Sequence, residues 1–105
     1  MPKSTYNELY QDYICSAILR IAREIFAILG VDEVVITAKD ELLNKSTGHE
    51  ELLPILSVLI SKHKFESLNL NLIDPSDSMM NFIHNIDFKK TSGFKSVERI
   101  IFNNI

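Results

Sequence analysis

Residues 5–29 read TYNELYQDYICSAILRIAREIFAIL, and the reading of this stretch decides the fold. Advancing 100° per residue along a helix, Tyr6, Tyr10, Tyr13, Ala17, Ile21 and Ile28 fall on one arc, with Ile14, Ile18, Ile25 and Leu29 beside it. Cys15, Leu19, Ala22 and Phe26 carry the apolar surface round the back, and only Asp12, Ser16, Arg20 and Arg23 form a clean polar stripe. A surface helix needs a single apolar stripe roughly 100° wide. The excess predicts a helix covered on two sides. Thr5 and Glu8 have capping-box spacing, and Gly30 stands where a left-handed residue closes a helix. Between those signals the helix is about 37 Å long at 1.5 Å per residue.

Working outward, Glu33–Ala38 and Pro54–Ile60 are β-branched, apolar runs that read as strands buried on both faces. Between them, Lys39–Leu53 is long for a hairpin connection and holds the turn cluster Asn44–Gly48. Long loops inside compact domains tend to be functional. Lys64–Leu68 reads as a short helix running into an irregular link, because asparagine disfavours a strand over Leu68–Leu72. Asp74–Pro75 opens a further helix as N-cap and first residue, and Met79, Phe82, Ile83 and Ile86 give it one apolar face. Thr91–Gly93 breaks that helix, and Val97–Phe102 is a last apolar segment. The expected fold is α+β: a long N-terminal helix packed on a small antiparallel sheet, followed by short C-terminal helices.

Composition sets the bounds. The chain has 105 residues, 46% hydrophobic and 24% charged, which predicts one domain over residues 1–105, standing alone or within a longer protein. A net charge of −3 supplies no field that would draw nucleic acid or anionic lipid. The one cysteine excludes a disulfide framework and a cysteine zinc site. No apolar run reaches the roughly 18 residues of a membrane span, and the first residues lead into a helix rather than a signal peptide. A cytoplasmic location is therefore expected.

Four groups of residues are candidates for function. His49 and Glu51, with Asp40 earlier in the same connection, could act as acid and base; the spacing matches no known metal-ligand pattern, so no metal and no cofactor are expected. Glu24 falls inside the tyrosine arc, where a carboxylate must pair with Arg20, reach solvent or sit buried with a raised pKa. Lys89, Lys90, Lys95 and Arg99 surround Phe88 and Phe94, the ingredients of a single-stranded nucleic-acid contact, which the acidic remainder of the chain opposes. Finally, Cys15, Leu19, Ala22 and Phe26 form a second stripe that one sheet cannot also cover, and they are the expected interface of a homo-oligomer. The leading expectation is a non-enzymatic assembly or protein-interaction module. The alternative is a small hydrolase or nucleic-acid-processing domain using Asp40–Glu51.

Overall fold

The computed structural model describes residues 2–101. Helix α1 (Lys3–Ile28) is followed by strands β1 (Glu33–Asn44) and β2 (His49–Ser61) and by the short helix α2 (Lys62–Glu66). Then come α3 (Pro75–Ser78), continued by a 3-10 turn over Met79–Asn81, and strands β3 (Ile83–Ile86), β4 (Phe88–Lys89) and β5 (Gly93–Phe94). The first three strands form an antiparallel sheet in the order β1-β2-β3, and β4 and β5 make a separate two-stranded ribbon. The α+β arrangement expected from the sequence is the one observed.

The ends of α1 differ from the cap signals. The helix starts two residues before Thr5, behind Pro2 in an extended conformation, with no side-chain cap; the Pro2 carbonyl accepts from the Tyr6 N–H at 3.1 Å. At the other end Leu29 turns extended while its N–H still bonds Ile25 O at 2.8 Å. Gly30 is not left-handed, since only Gly48 and Gly93 have positive φ.

The larger correction concerns which side of α1 is buried. Cys15, Ile18, Leu19, Ala22 and Phe26 form the inward face, packed with Val34, Leu56, Val58, Ile60, Phe65, Met79 and Phe82. The proposed oligomer interface of Cys15, Leu19, Ala22 and Phe26 is thus the core of the chain itself. The reason is electrostatic. Between Ile14 and Phe26 this arc contains no charged residue, whereas the tyrosine arc carries Glu24, and burying an unpaired carboxylate costs far more than leaving apolar side chains wet.

The long connection Lys39–Leu53 is not a loop either. Both strands run out to the turn, pairing Glu33 with Ser61 at one end and Asn44 with His49 at the other. The register shifts between Ala38 and Lys39, where Ala38 faces Leu56 and Lys39 faces Pro54, so Ile55 is the extra residue of a β-bulge. Pro54 sits inside the strand because β3 pairs only with Leu56–Leu59, leaving no ladder bond there for a missing N–H. At the tip Gly48, with φ 75°, closes the expected turn through Gly48 N to Asn44 O at 2.8 Å.

Asp74 does cap a helix, accepting from the N–H groups of Ser76 and Asp77. That helix stops after one turn and a 3-10 turn, and Ile83–Ile86 become an edge strand instead. Two β-branched residues and a buried neighbouring strand outweigh a helical spacing that only four residues supply. Leu56, Val58 and Ile60 face α1, so Ser57 points to the far side of the sheet. There the Ile100 N–H donates to Ser57 Oγ at 2.9 Å and Val97 N to Pro54 O at 2.9 Å, laying the C-terminal segment across the strands. Phe102, the last residue of the expected apolar segment, lies outside the described residues.

Candidate interaction surface

With its inner face committed to the core, α1 turns its tyrosine arc outward. Tyr6 is 60% exposed, Tyr13 68%, Ile21 44% and Ile28 79%, with Leu9 at 54% on the flank. Ala17 lies half-buried at the middle of this stripe, and Glu24 is exposed within it. The stripe runs from Tyr6 to Ile28, about 33 Å at 1.5 Å per residue. Scattered exposed apolar residues are ordinary, whereas these lie in a row along one helix face. Tyr10, beside it, is anchored: its hydroxyl donates to Asp40 Oδ2 at 2.7 Å and its ring meets Phe94 edge-on at 5.8 Å. Burial, and then the Asp40 carboxylate, push the Tyr10 phenol up from 10.0 to about 12.

Sequence reasoning found this arc but gave it to the sheet. Glu24 was the available signal, since a carboxylate central to a stripe says that the stripe meets water or a polar partner.

The hairpin candidates are dispersed along two strands. Asp40 is engaged by Tyr10, Glu51 accepts from Asn44 Nδ2 at 3.0 Å, and His49 is exposed beside the turn. Among the described residues, no three of histidine, cysteine, aspartate and glutamate lie close enough to share a metal ion. Glu24, the remaining candidate for acid–base chemistry, is exposed on the side of α1 opposite the core.

The basic segment is tied down at several points. Lys90 makes an ion pair with Glu8 at 3.2 Å, and its carbonyl accepts from Asn7 Nδ2 at 2.7 Å. Phe88 and Phe94 are half-buried against each other with ring centroids 5.0 Å apart. Lys89, Lys95 and Arg99 are exposed around them.

One cleft opens beside α1. Its volume is about 210 Å³, and it is lined by Ser16, Leu19, Arg20, Arg23, Leu70, Ile73 and Pro75. That is smaller than the ~300–1,000 Å³ of ordinary small-molecule sites, whereas a cleft beside the hairpin turn, of about 540 Å³, is lined by Leu43, Asn44, Lys45, Leu53, Lys95 and Ser96. No helix among the described residues is long and apolar enough to cross a membrane. Compared with family models, with curated proteins and with solved structures, the chain matches none of them.

Proposed function

We propose that the chain is a non-enzymatic assembly module that docks another protein, in the first place a further copy of itself, on the outer face of α1. The observation that carries this reading is the exposure of Tyr6, Tyr13, Ile21 and Ile28 along one helix face. Tyrosines and large aliphatic residues in a row lose unfavourable hydration when covered, at roughly 25 cal/mol per Å² of apolar area. Tyrosine is also the side chain that interface cores favour, with a rigid ring and a polar tip. The hairpin carboxylates, by contrast, are occupied by Tyr10 and Asn44. Those bonds leave the hydrolase reading without an assembled set of groups.

Sedimentation velocity over a micromolar concentration series tests the proposal. The wild-type chain should sediment as an oligomer that dissociates on dilution, and Tyr13→Glu with Ile28→Glu should be monomeric with an unchanged circular dichroism spectrum. Both positions are exposed, so the double variant keeps its core. A wild-type monomer at high micromolar concentration, or an oligomer that the double variant leaves intact, would overturn the reading.

A further inference from the structure

The exposed stripe has an internal symmetry. Tyr13 and Ile21 lie four residues either side of Ala17, and Tyr6 and Ile28 lie eleven residues either side. Reversing the helix about Ala17 therefore lays Tyr13 over Ile21 and Tyr6 over Ile28, with Tyr10 opposite Glu24. The N-terminal half supplies aromatic rings with phenol donors, and the C-terminal half supplies aliphatic side chains with one carboxylate, Glu24, and one guanidinium, Arg20. The two halves differ, and each offers what the other lacks.

Resting on the assembly reading above, we infer that the partner is a second copy of this chain, its α1 antiparallel to the first across a two-fold axis at Ala17. A two-fold contact uses the same patch on both subunits, so the patch must complement its own reversed image. This stripe does. Ala17 meets Ala17 at the axis, and its small side chain lets the helices approach to the ~8–10 Å of close helix packing. Tyr13 covers Ile21 of the second copy, and Tyr6 covers Ile28.

Charge selects the direction. Glu24 lies seven residues beyond Ala17, about 10 Å along the axis. In the antiparallel pair that level is Tyr10 of the second copy, whose hydroxyl is held by Asp40; Tyr13 is one turn away, and its reach along the groove lets its hydroxyl donate to the carboxylate. Arg20 reaches the ring of the same Tyr13 as a cation over an aromatic face. A parallel pair in register would instead set Glu24 against Glu24 in the middle of an apolar contact, where like charges repel and lose their water.

Size is adequate. At the exposures given above, the stripe offers on the order of 600 Å² per chain, taking ~150–250 Å² for a fully bared aromatic and somewhat less for an aliphatic. Two copies then bury on the order of 1,200 Å², the lower bound of specific interfaces. The molecule is 20 Å thick, a helix layer on a sheet layer. Pairing through α1 encloses both helices between two sheets and ends the assembly at two copies.

Single cysteines on the helix test the arrangement. The native thiol does not interfere, because Cys15 is fully buried. Ala17→Cys should form a disulfide-linked dimer on mild oxidation. A mixture of Tyr6→Cys and Ile28→Cys chains, treated with a short bifunctional maleimide, should link Tyr6→Cys to Ile28→Cys. Each variant alone should give little dimer. Tyr6→Cys linking to itself and Ile28→Cys to itself would show a parallel pair and overturn this inference while leaving the assembly reading standing. An oligomer by sedimentation that yields none of these links would also overturn it. A chain that is monomeric by sedimentation and unlinked would remove both.

Discussion

Cys15 lies at the centre of the inward arc of α1, with no exposure to solvent. Burial, then the charges of Asp12 and Asp74, push its thiol up from 9.0 to about 12. The folded chain therefore holds this proton more tightly than the unfolded chain does. Stability is fully retained below pH 9 and falls as the pH climbs towards 12. The Tyr10 phenol, raised from 10.0 to about 12, adds a second loss that begins a pH unit later. Between pH 9 and 10 the slope belongs mainly to Cys15. Urea midpoints at pH 8, 9 and 10 should fall for the wild type and stay nearly level for Cys15→Ala, although that variant is less stable throughout. Equal slopes in the two proteins would show that the thiol is not the titrating group. Little of this was legible in the sequence, which placed Cys15 on an apolar arc but not on the inner one.

Among the elements, the ribbon of β4 and β5 depends most on a single backbone position. Gly93 has φ 77°, and a Cβ there would stand 3.3 Å from Asn7 Oδ1. Asn7, nearly buried, holds the ribbon to α1 by donating to Lys90 O. Gly93→Ala combines left-handed strain with that close approach, so a loss of about 1–2 kcal/mol is expected, read as a lower urea midpoint with an unchanged slope. Gly30→Ala, where nothing lies within 4 Å of the added carbon and φ is not positive, should be neutral. Equal effects at the two glycines would contradict this account.

The same scale shows where the sequence was readable. The turn at Asn44–Gly48 and the cap at Asp74 were visible because their chemistry is local. The outer hairpin arms were not, because aspartate, glutamate and leucine are poor strand markers and the pairing of Asp40 with Leu53 is a property of two distant segments. Strand β3 was hidden by apolar residues whose spacing suited a helix equally well.

At the scale of the whole molecule, the chain is a slab 42 × 37 × 20 Å with α1 as one outer layer. Two layers enclose one core, and here the outer surface of the helix layer carries the exposed stripe of Tyr6, Tyr13, Ile21 and Ile28. The wide apolar circumference of α1 was legible from the first residues. The assignment of sides was inverted, because a helical wheel ranks arcs by apolar content and does not say which one the sheet will meet. Glu24, and the absence of charge around Ala22, decide that.

The chain's three tyrosines all lie on α1, which makes the covered face directly observable. Nitration of phenolates, followed residue by residue as protein concentration rises, reports which rings become shielded. Tyr10, hydrogen-bonded to Asp40 with its phenol raised to about 12, should react slowly at every concentration. Tyr6 and Tyr13 should react freely in dilute solution and become at least tenfold slower as copies associate through the outer face. Rates for Tyr6 and Tyr13 that stay constant across the whole concentration range would contradict the account.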